Sequence, residues 1–324
     1  AKVDSAILNP STGNTVIDTT LLATLAAVVR EGSFERAARA LSVSPSAVSQ
    51  RIRLLEERVG AVLVQRGQPC SATPAGERLC RHAETVTLME RQLRHDLPAL
   101  AQGDGPQARA RIRVAVNADS LGTWWIDALA GFAREDDALV EVVTVDQDQT
   151  GTWLRRGQVL AAVTAEAAPV QGCRSRRLGA LRYLATASPA FMARWFPQGV
   201  TADALGRAPS LVFDSDDRLQ ERWVKRVTRR DLVLPAHRLP STNAFVQAAI
   251  AGLGWGMNPQ SLVAPALADG RLVELIPGRA QDVTLHWQVA TLPVPALDTL
   301  TRHVMRVARQ ALSPAEDRGA ASRA

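Results

Sequence analysis

The sequence predicts a chain of two parts, an α-helical N-terminal domain built around a helix-turn-helix and an α/β domain that follows it. Three observations lead to this fold class. Three amphipathic helices with capping residues lie before residue 60. A long helix with a narrow apolar seam follows over residues 74 to 97. Beyond residue 110 short apolar strands alternate with helices, which is typical of α/β proteins.

The bulk composition is that of an ordinary globular protein. The chain has 324 residues, of which 46% are hydrophobic and 22% are charged. It has no apolar run of about 18 residues, so we expect no membrane span. The N-terminus lacks the pattern of an export signal. Three widely spaced cysteines fit neither a disulfide framework nor a metal site, so we expect no metal or other cofactor and a cytoplasmic location.

The net charge does not identify the partner. The chain carries a formal charge of +6, which is compatible with a polyanion such as DNA. Residues 18 to 100, however, hold eleven Arg and nine Asp or Glu, so their net charge is only +2. An argument for DNA binding must therefore rest on where the basic and polar residues lie.

The first three helices are marked by local signals. Residues 1 to 17 are polar and are interpreted as a loose tail. The first helix closes at Gly32, and Ser33 is placed to cap a short second helix. Ser44 caps the third helix, with Pro45 at its first position, where a missing N–H costs nothing. Helix, short helix, tight turn and helix is the topology of a helix-turn-helix.

The third helix has two contrasting faces. One is an apolar stripe that predicts a buried side, formed by Val48, Ile52, Leu55 and Val59. The opposite face begins with short hydrogen-bonding side chains and becomes basic further along. Such a face suits base edges in the major groove, where Arg and Gln bind purines through two hydrogen bonds. The predicted base-reading residues are Ser46, Ser49, Gln50 and Arg53.

A second group of polar residues is better placed for phosphates, which position a protein on DNA without specifying sequence. This group contains Ser33, Ser44, Arg51 and Arg66. The same polar residues also have an interpretation that does not involve DNA. Ser44 could be only an N-cap, and Arg53 could pair with Glu56 or Glu57 one turn further on.

A hairpin and a long helix complete the first domain. Residues 61 to 73 contain two β-prone segments around a Gly-Gln-Pro turn. Thr73 then caps a helix that Pro98 ends. Its narrow seam favours packing against a second copy of the chain; the alternative is that it lies on the following domain. The seam contains Leu79, Ala83, Val86, Glu90, Leu93 and Leu97.

The second part alternates between strands and helices, which predicts α/β units with parallel pairing and enough chain for two lobes. The predicted strands cover 111–117, 139–146, 159–165, 181–187, 209–214, 254–258, 271–277 and 285–291. The predicted helices cover 123–135, 188–196, 244–252 and 297–312. The chain is expected to cross between lobes near residues 186–188 and to return near residue 290.

A ligand site is expected where the carboxyl ends of strands meet at the crevice between the lobes. Hydroxyls at helix starts suit a carboxylate, whereas acids at strand ends suit buried cations. This pattern favours a basic amino acid, although Asp119 could be a helix N-cap and Asp214 part of a solvated turn. The candidate residues are Asn117, Asp119, Ser120, Asp146, Asp148, Glu166, Thr186, Ser188, Asp214, Thr242 and Asn243.

The segment SFERAARALSVSPSAVSQRIRLLEERVGAVLVQRGQPCSATPAG, residues 33 to 76, resembles the winged helix-turn-helix of the LysR-type transcriptional regulators. The shared marks are the Ala-Ala pair of the second helix, Ser-x-x-Ala-Val-Ser from Ser44, Leu55-Glu56, Gly60, Arg66 and Thr-x-x-Gly from Thr73. One departure is the wing, which lacks the second basic residue of many members.

The resemblance implies a domain plan for nearly the whole chain. A linker helix would serve dimerisation, and an effector domain similar to type-2 periplasmic binding proteins would follow. The implied domains are a tail 1–17, a winged helix-turn-helix domain 18–73, a linker helix 74–100, a hinge 101–110, a first lobe 111–186 with 290–312, a second lobe 187–289, and a tail 313–324.

Further segments, such as VNADSLGTWW and STNAFVQAAIAG, resemble the ArgP/LysG branch, whose members respond to lysine and arginine. This implies a sequence-specific regulator of a basic amino-acid exporter gene. The implied partners are promoter DNA, lysine or arginine, RNA polymerase and further copies of the chain in a homodimer or homotetramer. Similar members have also been described as inhibitors of replication initiation, so the alternatives are such a DNA-binding role or a LysR-type regulator with a different effector.

Three other functions would each predict a different sequence or a different binding behaviour. The sequence has none of the motifs that would indicate an enzyme, such as a Ser-His-Asp pattern, a phosphate-binding loop, HExxH or GxGxxG. A solute-binding protein would match the second part but would not need residues 20 to 97. An architectural DNA-binding protein would bind unrelated sequences uniformly.

Overall fold

The computed structural model describes residues 18–97, 109–144 and 150–314. The chain divides into two compact units, residues 1–105 and 106–324, which are described separately. The predicted N-terminal tail, most of the predicted hinge, Asp146 and Asp148, and residues 315–324 lie outside the described residues. Among the helices of the described part, none combines the length and apolar character that a membrane crossing requires.

The first unit contains the three predicted helices, α1 (Thr19–Glu31), α2 (Phe34–Ala40) and α3 (Pro45–Val59). The predicted caps are confirmed. Gly32 ends α1 in the left-handed conformation, with φ of 63°. The backbone N–H of Arg36 donates to Ser33 Oγ, and that of Ala47 donates to Ser44 Oγ at 3.2 Å. These bonds satisfy N–H groups that the first turn of a helix leaves without partners.

The core of this unit is the interface of the three helices. Val48, Ile52 and Leu55 are buried as predicted and pack with Leu25 and Val28 of α1. The prediction for Val59 is wrong, since 39% of this residue is exposed. Val59 is the last residue of α3 and is followed by Gly60 in the left-handed conformation, so the end of the helix lies beyond the core.

The hairpin, β1 (Val64–Gln65) and β2 (Ser71–Ala72), is antiparallel and is held from two sides. Glu56 Oε1 accepts hydrogen bonds from the N–H groups of Leu63 at 2.8 Å and Val64 at 3.4 Å. The N–H of Cys70 donates to the carbonyl of Gly32 at 2.9 Å. The hairpin is therefore attached both to α3 and to the turn between α1 and α2.

The long helix α4 (Pro74–Asp96) begins at the predicted cap. Thr73 Oγ1 accepts from the N–H of Gly76 at 3.1 Å and donates to the carbonyl of Val62 at 2.8 Å. The apolar seam of α4 is only partly buried by the rest of the chain. Ala83 is buried, whereas Leu93 and Leu97 are 51% and 50% exposed. Packing of this helix against a second copy stays a prediction.

The second unit is built on one seven-stranded sheet. Its order is β10-β6-β11-β5-β3-β4, and β9 also pairs with β6. A separate parallel pair is formed by β7 and β8. The strands are β3 (Arg111–Val116), β4 (Leu139–Thr144), β5 (Ala161–Thr164), β6 (Cys173–Ala187), β7 (Ser210–Val212), β8 (Ala236–Arg238), β9 (Gly256–Pro259), β10 (Val273–Glu274) and β11 (Gln281–Ala290).

The prediction of parallel pairing is correct only for part of the sheet. β3 pairs in parallel with β4 and β5. In contrast, β6 is antiparallel to β9, β10 and β11, and β11 is antiparallel to β5. The long strands β6 and β11 run side by side in opposite directions and are shared by both lobes. The chain leaves the first lobe along β6 and returns along β11.

Helices cover the sheet in each lobe. In the first lobe, α5 (Ala118–Ser120) continues into a π-helix over Leu121–Trp125 and then into α6 (Ile126–Glu135). The sequence did not predict α7, α9, α10, α12 or β8. The remaining helices are α7 (Thr150–Arg155), α8 (Pro189–Trp195), α9 (Ala202–Leu205), α10 (Leu219–Thr228), α11 (Thr242–Ile250), α12 (Gln260–Ala268) and α13 (Pro295–Ala311).

Candidate functional site

The outer face of α3 is open to solvent. All four predicted base-reading residues, Ser46, Ser49, Gln50 and Arg53, are exposed. Arg53 Nε lies 3.0 Å from Glu57 Oε1, and these side chains are 82% and 59% exposed. An ion pair so exposed contributes little stability, so the guanidinium is free to exchange this partner for another acceptor.

Of the two acids considered as partners for Arg53, the structure pairs it with Glu57, whereas Glu56 Oε1 accepts from the hairpin backbone. Ser44 is the N-cap of α3, and its Oγ also lies 2.9 Å from Ser46 Oγ. Arg51 is half-buried. The face therefore consists of polar groups near the start of α3 and an exposed cation further along.

A concave surface joins α2, α3 and the hairpin. It brings together three predicted residues, Ser33, Ser49 and Arg66. The Arg66 guanidinium lies 5.7 Å from the centre of the Phe34 ring, an arrangement that attracts a cation to an aromatic face. Glu35 also lines this surface, and its pKa is lowered mainly by a hydrogen bond from Ser33 Oγ at 2.6 Å. Neither Phe34 nor Glu35 was predicted as a site residue.

In the second unit, a cavity of about 80 Å³ lies where elements of both lobes meet. It brings together four predicted ligand-site residues, Asn117, Asp119, Asp214 and Thr242. The other lining residues were not predicted as ligand contacts: Ala118, Thr144, Phe213, Asp216, Asp217, Leu219, Arg222, Phe245, Met257, Asn258, Pro259 and Val283.

Asp119 is the most deeply enclosed acid of this cavity. Its Oδ2 accepts a hydrogen bond from the Tyr183 hydroxyl at 2.7 Å, and its Oδ1 accepts one from Thr242 Oγ1 at 2.8 Å. Burial raises the pKa of Asp119, the two hydrogen bonds oppose this shift, and the charge of Asp217 adds to it. Both partners of the carboxylate are neutral hydroxyls, so its charge is hydrogen-bonded without being compensated by them.

Two amides of the cavity carry atoms without hydrogen-bond partners. Asn117 Oδ1 accepts from the N–H of Ser120 at 3.2 Å, and Asn258 Nδ2 donates to Thr186 Oγ1 at 3.0 Å. In the part of the chain that the structure describes, Asn117 Nδ2, Asn258 Oδ1 and Ser120 Oγ are buried without a partner. Because buried polar atoms are normally paired, Asn117 Nδ2 and Asn258 Oδ1 are candidate contacts for a polar ligand or for water. Ser120, a predicted ligand residue, is not among the residues that line the cavity.

The acidic segment after β7 is a turn held by its own carboxylates. Asp214 Oδ1 accepts from the N–H groups of Asp216 at 2.8 Å and Asp217 at 3.0 Å. Asp217 Oδ2 accepts from Phe213 N–H at 3.0 Å, and its Oδ1 accepts from Leu219 N–H at 3.0 Å. The alternative interpretation of a turn is therefore correct, although the same turn faces the cavity together with the Arg222 cation.

Several predicted ligand residues do not line the cavity. The Glu166 carboxylate lies beside the backbone of Gly151 in α7, because the end of the strand that precedes Glu166 faces this helix. Thr186 is covered by Asn258, and Ser188 accepts the N–H of Phe191 as the N-cap of α8. Asn243 is exposed on α11. Asp146 and Asp148 lie outside the described residues.

Both units match one protein family. Residues 19–77 match the description "Bacterial regulatory helix-turn-helix protein, lysR family", and residues 105–313 match "LysR substrate binding domain". The chain is 45% identical over 290 residues to the HTH-type transcriptional regulator ArgP of Pseudomonas aeruginosa, which is 90% of this chain and 95% of that protein.

Two solved structures are similar over nearly the whole chain. ArgP from Mycobacterium tuberculosis is 44% identical, with a TM-score of 0.73, and the match covers 93% of this chain and 100% of that one. Full-length LysG from Corynebacterium glutamicum with bound effector Arg is 36% identical, with a TM-score of 0.63 and coverage of 92% and 100%.

The raised pKa of Asp119 makes the stability of the ligand-free protein depend on pH. Its contribution is fully present below the unfolded-state pKa and is lost as the pH rises through the folded-state pKa. We therefore expect Asp119→Asn, which cannot ionise, to gain melting temperature relative to the wild type as the pH increases. The melting temperature should rise by about 2–4 °C for each kcal/mol by which ionisation of Asp119 destabilises the folded wild type. Asp216→Asn, which removes an exposed carboxylate of the same cavity, is the control; a difference between Asp119→Asn and wild type that stays constant with pH would contradict the assignment.

Proposed function

This chain belongs to the LysR family of bacterial helix-turn-helix regulators, in its ArgP/LysG branch, and from that premise we propose that it adjusts transcription in response to a basic amino acid. Its relatives are transcriptional regulators and not enzymes. The observation that carries the proposal is the enclosed Asp119 carboxylate, whose partners are two neutral hydroxyls.

The α3 face supports the DNA-reading part of the proposal. Ser46, Ser49, Gln50 and Arg53 are exposed together, while the opposite stripe anchors the helix in its own domain. In a helix-turn-helix, such a face enters the major groove and reads base edges. Arg66 and Ser33 lie on the adjoining concave surface, where contacts to phosphates would hold the helix in register.

The charges of the cavity support lysine or arginine as the effector. Asp119, Asp214, Asp216 and Asp217 face one cation, Arg222. A basic amino acid carries two cations and one carboxylate, so it would compensate Asp119 and the acidic turn while its carboxylate pairs with Arg222. The LysG relative with bound effector Arg favours arginine for this chain as well.

The proposed mechanism is a shift between two arrangements of the lobes. The cavity is lined from both lobes, by Asn117 and Asp119 on one side and by Thr242 and Asn258 on the other. A ligand that binds one arrangement more tightly shifts the population toward it, and such coupling is typically about 1–3 kcal/mol. Effector binding would thereby change how the DNA-binding heads of an oligomer are placed on the promoter.

The remaining assignments follow from the family. We infer a homodimer or homotetramer joined in part through the exposed seam of α4, a cytoplasmic location, and contact with RNA polymerase at the promoter. The inferred target is a gene for a basic amino-acid exporter. The competing proposal is a DNA-binding protein of low sequence preference, such as an inhibitor of replication initiation, which would bind unrelated sequences with equal affinity.

The base-reading role predicts a loss that depends on DNA sequence. Gln50→Ala and Arg53→Ala should each weaken binding to the preferred site by about 1–3 kcal/mol, with a much smaller loss on random DNA, because base contacts supply specificity. Arg66→Ala should weaken binding to all sequences alike and reduce the salt slope by about one. Gel-shift titrations over a range of salt concentrations measure both effects.

The control for this experiment is Arg58→Ala, which removes an exposed arginine of α3 outside the proposed face. Equal losses for Arg53→Ala and Arg58→Ala on every sequence would exclude base reading by Arg53.

The effector role predicts selectivity for a cationic side chain. Arginine or lysine should bind the full-length protein, and citrulline, the neutral counterpart of arginine, should bind more weakly. Asp119→Asn should reduce arginine affinity by about 2–5 kcal/mol, because the ligand's cation would lose a desolvated partner. Calorimetric titration checks this, with Glu166→Gln as the control because Glu166 does not line the cavity. Equal affinities for citrulline and arginine would contradict the proposed effector class.

A further inference from the structure

The two hydrogen bonds to Asp119 come from distant elements of the fold. Tyr183 lies on β6, one of the two strands shared by the lobes, and it is fully buried. Thr242 is the first residue of α11 in the second lobe. Asp119 itself belongs to α5, directly after β3 in the first lobe. One carboxylate is therefore held at a fixed place by hydroxyls from two other elements.

These bonds leave room for a ligand on the same carboxylate. An ionised carboxylate has about four acceptor positions, and Asp119 uses one on each oxygen. One position on each oxygen remains, which is the arrangement that a guanidinium needs for two parallel hydrogen bonds. The carboxylate must be ionised and correctly rotated for this to occur.

Tyr183 is placed to supply both conditions. Its hydroxyl donates to Oδ2 at 2.7 Å, and donation to a carboxylate favours the ionised form and fixes its rotation. Tyr183 is not among the residues that line the cavity, so it reaches the ligand space only through Asp119. We propose that Tyr183 is a positioning residue for the effector's cation, acting by holding Asp119 ionised and oriented. This inference rests on the proposed function, because it assigns a role to Tyr183 within the same effector site.

The other charges around Asp119 make this role necessary. Asp217 lies close enough to disfavour a second negative charge. Asp214 and Asp216 line the same cavity, and Arg222 is the one basic residue among its described lining residues. Thr242, in the second lobe, donates the other hydrogen bond that favours ionisation of Asp119. Tyr183 is thus one of two hydrogen-bond donors that favour the charged carboxylate against burial and the charge of Asp217.

The test compares the wild type with Tyr183→Phe, which removes only the hydroxyl. Arginine affinity of the full-length protein is measured by calorimetry from about pH 5 to 8. We expect the affinity of Tyr183→Phe to approach that of the wild type at the highest pH and to fall at least about tenfold below it at low pH. The reason is that Asp119 without this donor takes up a proton at a higher pH. Thr301→Val, which removes another buried hydroxyl bonded to Trp287, is the matched control and should leave the profile unchanged.

A ligand-free measurement makes the test independent of arginine binding. Tyr183→Phe should move the pH dependence of the melting temperature to higher pH, and it should have no such effect in an Asp119→Asn background. A shift that persists in the Asp119→Asn background, or an unchanged profile in both measurements, would overturn the role of Tyr183. If the wild type binds neither arginine nor lysine at any pH, the proposed function fails, whatever the thermal profiles show.

Discussion

The carboxylate of Asp119 is the constraint on which the account of the second unit depends. Removing a charge from water is costly unless partners compensate it. Tyr183 and Thr242 provide hydrogen bonds but no charge, and the charge of Asp217 opposes ionisation of Asp119. A cation in the cavity would compensate this charge, which is why we propose a basic amino acid as the effector. The same constraint explains why the site would reject a neutral analogue of similar shape.

The position of Asp119 also connects ligand binding to the arrangement of the lobes. Its donors lie on a strand shared by both lobes and on a helix of the second lobe. Rotation of one lobe against the other would stretch the bond from Thr242 before it disturbed the bond from Tyr183. Under the proposed function, occupancy of the carboxylate and the separation of the lobes would be coupled through this one group.

Local signals were sufficient to predict much of the first unit. Ser33, Ser44 and Thr73 cap their helices through backbone groups at most three residues away, so a short window of sequence contains the whole interaction. Val59 was predicted incorrectly because its spacing continues the apolar stripe, whereas burial depends on where the core ends. Glu56 and Gly32 hold the hairpin through contacts that no periodic pattern reveals.

The second unit was less predictable because its site is built from distant residues. Tyr183 and Thr242 are 64 and 123 residues from Asp119 in the chain. The rule that ligands bind at strand ends located Asn117, Asp119 and Asp214, but it also selected Glu166 and Ser188, whose strand ends face elsewhere. Antiparallel pairing of β6 was missed because the charged residues Arg174, Arg176 and Arg177 obscure the first part of that strand.

The most direct test of the central claim is the number of protons released when arginine binds. Calorimetric titration of the full-length protein in two buffers of different ionisation enthalpy, at a mildly acidic pH, measures this number. We expect the wild type to release protons, because the ligand's cation favours the ionised Asp119 carboxyl, and we expect Asp119→Asn to release fewer. Equal proton release by both proteins would contradict the claim that Asp119 is the carboxyl that receives the cation.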